Sequence, residues 1–469
     1  MLTRLEVDGF KNLLGLEVDF GPFTCIAGEN GTGKSNLFDA IQFLSLLSSR
    51  SLIEAAIEVR GTGGERSGDP RELFWNGYGT HEREMSFAAE MIVPEAVEDD
   101  FGREAKATST YLRYELRLGF LPPSGADRIG RVTLLHESLK HINLGNAPHR
   151  LLFPHSKSKF RDKILKNNRS GQAFISTTVK DGQTTVSIHQ DGGSRGQPKP
   201  AAASRAPATV VSTVTSSDDP TILAARREMQ SWQRLALEPT ALRAADRYTD
   251  PQKMGANGLH LPGTLFRIAQ QDPHGDPDRV YSRVSTRLAD LAGVSVDELR
   301  VIEDGVRELL TVQLKEANGL QMPARGLSEG TLRFLALCVL KEDPSVRGVL
   351  CMEEPENGIH PGNLAAMVNL VTELAVDPEE PPGDDNPFRQ ILVNTHSPGV
   401  VQLVNQDDLL FADSVRLRGP EGSITKALRL RPMTRSWRAK SGGTPSVARP
   451  DILPYLTTPP GAQTSLEEA

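Results

Sequence analysis

Cysteine is nearly missing from this 469-residue chain. The three present, Cys25, Cys338 and Cys351, lie in apolar segments, odd in number and without metal-ligand spacing; reduced core residues are expected rather than a disulfide framework. Long apolar runs are lacking too. No stretch approaches the ~20 residues of a membrane-spanning helix, so no membrane partner is expected. Residues 1–8 alternate like a strand instead of running basic then apolar as a secretory leader does, and a cytoplasmic location is expected. No apolar heptad persists over several turns, which argues against a long coiled-coil arm. Bulk positive charge is also absent: a net charge of −7 does not suit a chain that coats nucleic acid through its overall field.

What is there is the composition of a globular protein, 38% hydrophobic and 24% charged, with length for two or three domains. Cations do gather locally. Residues 150–169 carry Arg150, Lys157, Lys159, Arg161, Lys163, Lys166 and Arg169 against a single acid, Asp162. A second stretch holds Lys426, Arg429, Arg431, Arg435, Arg438 and Lys440. Each is either a phosphate contact for DNA or an ordinary solvated face.

The most informative segment is Gly28-Glu29-Asn30-Gly31-Thr32-Gly33-Lys34-Ser35, a G-x-x-x-x-G-K-[ST] pattern between a strand-like run at 23–27 and a helix-like run from Asn36. Ordinary residue usage yields the pattern by accident in about 1–2% of chains this long, and the flanking strand and helix weaken that explanation further. The glycines let successive backbone N–H groups point at one anion, the helix start adds positive partial charge, and Lys34 adds a full one. Asn30, Gly31, Thr32, Gly33, Lys34, Ser35 and Asn36 are therefore the expected nucleoside-triphosphate site, with the Ser35 hydroxyl ligating Mg²⁺.

A second group lies far downstream. Val349-Leu350-Cys351-Met352 leads into Glu353-Glu354-Pro355-Glu356, a buried strand ending in carboxylates. A phosphate-loop hydrolase needs such a pair: Glu353 is expected to hold Mg²⁺ and Glu354 to act as general base on the attacking water. Upstream, Ser328 precedes Glu329-Gly330-Thr331 as a helix cap, so Ser328, Glu329 and Gly330 form a second anion site. Two such sites in one chain make sense if each completes the site of a partner copy. His396, in Asn394-Thr395-His396-Ser397-Pro398, follows a strand end, where it can sense the γ-phosphate. The plainer readings are an acidic surface turn and a structural histidine; the phosphate loop in the same chain weighs against both.

In this order the motifs resemble the ATP-binding-cassette (ABC) superfamily. Residues 28–35 look like its Walker A, 327–331 its signature, 349–354 its Walker B, 356–361 its D-loop, and His396 its switch histidine. The opening at 5–13 and the runs Ser328-Glu329-Gly330-Thr331, Glu353-Glu354-Pro355-Glu356 and Thr395-His396-Ser397-Pro398 are similar to the SMC/RecF-like and OLD-like ATPases of bacteria. Glu353 departs from the aspartate usual at its position.

The resemblance implies ATP and Mg²⁺ as cofactors and an α/β fold: an ABC-type ATPase head with a mixed central sheet, an antiparallel β subdomain and a large inserted helical and β region. Residues 1–145 would be the N-terminal ATPase lobe, with strands near 85–93, 111–120 and 131–142. Residues 146–310 would be the insertion, with a hairpin turning at Asp181-Gly182, a flexible linker at about 191–220, and helices at 222–237 and 279–299. Residues 311–432 would be the C-terminal ATPase lobe, with strands at 347–352 and 390–394 around a helix near 361–376, and 433–469 a loosely ordered tail.

It also implies a homodimer, or higher oligomer, closing head to tail around two ATP molecules. Nearly three hundred residues separate Lys34 from Ser328, more than the transporter ATPases of the superfamily would hold, which favours the DNA- and defence-associated branch. Only about seventy residues follow His396, so the nuclease or toxin it would serve is expected on a separate polypeptide. The leading expectation is an ATP-hydrolysing head that controls a DNA-directed or anti-phage effector. The alternative is a nucleotide-gated scaffold or sensor that binds a partner protein without touching DNA.

Overall fold

The computed structural model describes every residue except 60–68, 76–82, 124–129, 169–172, 192–198, 204–205, 294–295, 419–423, 443 and 453–469. The fold is mixed α/β, in two compact units: residues 1–233 with 377–382 and 406–469, and residues 234–376 with 383–405.

Period-two alternation of apolar residues builds the first unit. Its strands are β1 (Leu2–Asp8), β2 (Leu16–Asp19), β3 (Phe23–Gly28), β4 (Arg83–Ile92), β5 (Ala96–Glu98), β6 (Glu104–Lys106), β7 (Tyr111–Leu121), β8 (Arg131–His141), β9 (Ile175–Lys180), β10 (Gln183–Ile188) and β11 (Lys199–Ala202). Eight of them form one antiparallel sheet in the order β11-β10-β9-β8-β7-β4-β1-β2, while β5 and β6 make a separate ribbon. Along β7, Tyr114, Leu116, Leu118 and Phe120 are buried, and the alternate residues Arg113, Glu115 and Arg117 face the other side, as strand geometry requires. The strands expected near 85–93, 111–120 and 131–142 are thus present as β4, β7 and β8. The Asp181-Gly182 hairpin is also present: both residues are left-handed, at φ 51° and 73°, as a tight two-residue hairpin turn demands.

The described part of the stretch expected as a flexible linker is ordered. β11 completes the sheet edge, a short helix spans Val210–Thr213, and the Glu137 carboxylate of β8 accepts the N–H groups of Val210 at 2.6 Å and Val211 at 2.8 Å. Composition cannot show this, because pairing with β10 and one buried acid on a distant strand supply the order. Residues 192–198 and 204–205 of that stretch lie outside the described residues.

The second unit begins at the boundary strand β12 (Gln233–Leu235). Strands β13 (Asp246–Arg247), β14 (Val296–Asp304), β15 (Leu309–Glu316) and β16 (Gln321–Pro323) form a small antiparallel sheet. Strands β17 (Gly348–Glu353) and β18 (Arg389–Thr395) pair in parallel through the crossover helix Leu364–Leu374, with Glu353 opposite Asn394. β17 is a nearly continuous apolar run, while β18 carries an apolar centre, Ile391-Leu392-Val393, between polar residues, and all seven of its residues are buried. Two helices end earlier than periodicity suggests. The one expected to reach 237 is Pro220–Gln230. The one expected to reach 299 is Pro277–Ala292, stopped by the left-handed Gly293 at φ 63°, and Leu299 lies in β14 instead.

The chain then re-enters the first unit with β19 (Leu409–Arg418), parallel to β3, and β20 (Ile424–Pro432), antiparallel to β19. Part of the expected loose tail is anchored there: Arg438 is buried and bonds Thr24 Oγ1 at 2.8 Å and the Asp407 carbonyl at 2.6 Å. Residues 453–469 lie outside the described residues. Among the described residues no helix is long and apolar enough to cross a membrane.

Candidate nucleotide-hydrolysis site

The phosphate loop belongs to the first unit. β3, buried throughout, ends at Gly28, where a side chain would stand 2.3 Å from the Ala412 carbonyl of β19. The loop then turns through two left-handed glycines, Gly31 at φ 80° and Gly33 at φ 107°, into the helix Lys34–Leu47. That helix starts bare, with no side-chain cap and no acid in its first turn, so its N–H groups remain for an anion. Asn30 and Gly31 are exposed at the tip, while Ser35 and Asn36 are half-buried in the first turn.

Internal bonds set the shape before any ligand arrives. Thr32 Oγ1 donates to the Glu29 carbonyl at 3.0 Å, and the Lys34 ammonium, itself buried, donates to the carbonyls of Gly28 and Glu29 at 2.7 Å each. Sequence reasoning gave Asn12 no role, yet it braces the loop. Its Nδ2 donates to the Thr32 carbonyl at 3.0 Å and its Oδ1 accepts from Asn36 Nδ2 at 2.7 Å. Neighbouring Lys11 pairs with the fully buried Asp39 of the loop helix at 2.7 Å. Phe10, Phe43 of that helix and Phe87 of β4 pack with ring centroids 5.5 to 5.9 Å apart, fastening it to the sheet. The only signal was the short polar pair Lys11-Asn12 between two apolar residues, which spacing does not connect to a loop twenty residues on.

The carboxylates, the capped helix and His396 belong to the second unit. Glu353 ends β17; its Oε2 accepts from Arg234 at 2.9 Å, and its Oε1 is buried with no hydrogen-bond partner among the described residues. Glu354 then turns the chain in the left-handed region, at φ 44°, with its N–H held by both the carbonyl (3.0 Å) and the side-chain oxygen (3.1 Å) of Asn394. A non-glycine residue kept there stores strain, a frequent mark of functional sites. His396 Nδ1 lies 2.7 Å from Glu354 Oε1, and Asn357 Nδ2 donates to Oε2 at 2.8 Å. Arg234 and Asn357 are further residues that spacing did not single out.

The second helix start is capped as its sequence requires: Ser328 Oγ accepts the Thr331 N–H at 3.2 Å at the head of the helix Glu329–Glu342. Ser328 and Glu329 are exposed, and Gly330 lies where a side chain would come within 2.9 Å of the Gly358 carbonyl. Another acidic cluster, Asp246, Asp250 and His260, also lies in this unit. Its carboxylates are committed to the His260 ring and to the N–H groups of Gly263 and Arg247.

The basic stretches prove less available than their sequences suggest. Arg150 pairs with Glu90, Lys159 with Glu380 at 2.8 Å and Arg161 with Asp162 at 3.6 Å, whereas Lys157 and Lys163 are exposed; Arg169 lies outside the described residues. In the other stretch Arg429 and Arg431 pair with Asp413, and Arg438 is buried.

A family model described as "AAA domain, putative AbiEii toxin, Type IV TA system" matches residues 145–402, more than half of the chain. The chain belongs to this AAA-domain family. A second model, "AAA domain", matches residues 4–53 of this AAA protein. Its amino-terminal segment is similar to RecF- and SMC-type proteins. Over 50 residues it is 48% identical to the DNA replication and repair protein RecF of Parabacteroides distasonis, covering 10% of this chain and 14% of RecF. Over 53 residues it is 49% identical to structural maintenance of chromosomes protein 1 of Schizosaccharomyces pombe, covering 11% of this chain and 4% of that one. The AAA protein thus spans about a seventh of the length of the RecF relatives it matches. Among solved structures, the SmcHead bound to the C-winged helix domain of ScpA aligns at TM-score 0.45 and 14% identity, covering 91% of this chain and 98% of that chain.

Proposed function

We propose that this AAA protein binds ATP on the 28–35 loop, hydrolyses it with Glu354 and His396, and closes as a homodimer around two ATP molecules to control a DNA-directed or anti-phage effector. The observation that carries this reading is the Glu354 carboxylate, held at a strained turn and oriented on one oxygen by His396 and on the other by Asn357. A carboxylate aligned in that way is a general base awaiting a water, the role that phosphoryl transfer to water requires.

The remaining roles follow from the donor sets. The N–H groups of residues 31–35 and the Lys34 ammonium bind the phosphates, trading the Gly28 and Glu29 carbonyls for anionic oxygens. Ser35 and Glu353 would hold Mg²⁺, and the buried Glu353 Oε1, without a hydrogen-bond partner among the described residues, suits a hard cation. When bound, Mg²⁺ neutralises charge developing on the β- and γ-phosphates. His396 donates to Glu354 through Nδ1, leaving Nε2 to read the γ-phosphate. The exposed Ser328 and Glu329, at the start of the helix Glu329–Glu342, support capture of a second copy's nucleotide. Control of an effector is supported by the toxin and toxin–antitoxin wording of the family model, and a DNA-directed role by the names of the RecF and SMC relatives.

The test is the mass of Glu354→Gln with and without ATP. Turnover should fall by ~10²–10³, as for loss of a general base, while ATP is retained and dimers accumulate. A variant that retains ATP yet stays monomeric, or one that hydrolyses ATP like the wild type, overturns the reading.

A further inference from the structure

Glu356, two residues beyond the proposed base, has no part in the hydrolysis described so far. It is buried, its Oε1 accepts the hydroxyl of Thr395, and its Oε2 is buried with no hydrogen-bond partner among the described residues. Burial holds its carboxyl above the usual carboxylate range. A fold rarely keeps an acid under such conditions unless its one contact matters.

That contact is part of a directed chain. The fully buried Thr395 accepts the Ser397 N–H at 2.9 Å on the same oxygen that donates to Glu356. A hydroxyl has one proton, so with Ser397 as its donor it needs an acceptor on the other side, and Glu356 supplies one. Between Thr395 and Ser397 stands His396, whose ring meets Glu354; the preceding Asn394 holds the Glu354 N–H. Three consecutive residues at the end of β18 are therefore tied to the turn after β17, and the ring that must move or stay is the middle link of two anchored neighbours.

We propose that Glu356 is a positioning residue: through the Thr395 hydroxyl it fixes the backbone that aims the His396 ring at Glu354. The inference rests on the hydrolytic roles proposed for Glu354 and His396, but its structural claim can be read without turnover. Thr395→Val keeps the shape and removes the hydroxyl. Its kcat should fall about tenfold, within the range of a misaligned acid–base group, while ATP affinity stays at the wild-type value. Thr395→Ser should restore turnover.

The ring ¹⁵N resonances of His396, assigned by their loss in His396→Gln, should shift in Thr395→Val and remain in place in Thr395→Ser. Glu356→Asp, which shortens the reach by one methylene, carries the same expectations as Thr395→Val and replaces it should that variant fail to fold. Unmoved His396 resonances in the variant that folds overturn the proposal whatever its turnover. A wild-type chain without ATPase activity would sink the hydrolytic reading, and the resonances alone would then decide the role of Glu356.

Discussion

The phosphate loop and the Glu354 turn both hold polar groups at fixed places, by opposite means. In the loop, order is local and steric: two left-handed glycines, a glycine pressed against a carbonyl, and bonds among residues 28 to 36, with Asn12 as the main outside brace. At the turn, nearly every restraint crosses about forty residues of sequence, from 354 and 356 to 394, 395 and 396. The loop should therefore fail abruptly when its backbone is touched, and the turn should degrade by graded loss of alignment.

The largest effect expected is at Gly33. A side chain there meets Asn12 at 2.2 Å and is strained at φ 107°, so Gly33→Val should weaken ATP binding by more than ~100-fold, measured by titration calorimetry. Lys34→Ala should also weaken binding, through lost charge rather than lost shape. Near-normal affinity in Gly33→Val would mean that the loop is not the nucleotide cradle.

Next comes the long-range support of the loop helix inside its own unit. Thr209 Oγ1 donates to the Leu47 carbonyl at 2.8 Å, at that helix's C-terminal end, and the segment carrying Thr209 is held by Glu137. Burial pushes the Glu137 carboxyl up from 4.5 to about 7, although two backbone N–H groups and the Tyr114 hydroxyl favour its charged form. Between those values the folded chain keeps a proton that the unfolded chain has lost. This contribution to stability is complete below pH 4.5 and lost as pH rises toward 7, by up to ~3 kcal/mol. Glu137→Gln should flatten that slope in urea titrations across the window; an unchanged slope would show that Glu137 titrates normally.

These two cases also mark what could be read from sequence. The phosphate loop, the β9–β10 hairpin and the β4, β7 and β8 strands were legible because their determinants lie within a few residues: glycine positions, the Asp181-Gly182 pair, and local apolar runs that alternate along much of β7. The strand β17 was legible as an apolar run ending in acids. The order at 199–213 was not, since it depends on pairing with β10 and on Glu137; nor were Asn12 and Arg234, whose roles arise only when distant segments meet, nor Asn357, whose contact with Glu354 depends on the turn. Helix ends were misplaced where Gly293 stopped a pattern that apolar spacing continued.

A finer test separates brace from chemistry. Asn12→Ala removes one bond to the Thr32 carbonyl and one to Asn36, worth ~1 kcal/mol each, so ATP affinity should fall about thirtyfold with kcat unchanged. Asn394→Ala, which removes the side-chain half of the grip on the Glu354 N–H, should instead lower kcat and spare affinity. A reversed pattern would dissolve the distinction between a binding half and an aligning half.

The smallest effect expected concerns DNA. Ion pairing with Glu90, Glu380 and Asp162 engages Arg150, Lys159 and Arg161 of the cations at 150–169, and Lys157 and Lys163 are exposed on their short helical turns. If this surface meets a duplex, those two cations add phosphate contacts, each contributing about one unit to the salt slope of binding. Lys157→Ala with Lys163→Ala should therefore lower the slope of log K against log salt by about two, with ATP affinity untouched. Because the chain's net charge is −7, no diffuse positive field would mask that loss, and an unchanged slope would remove this patch from any DNA interface.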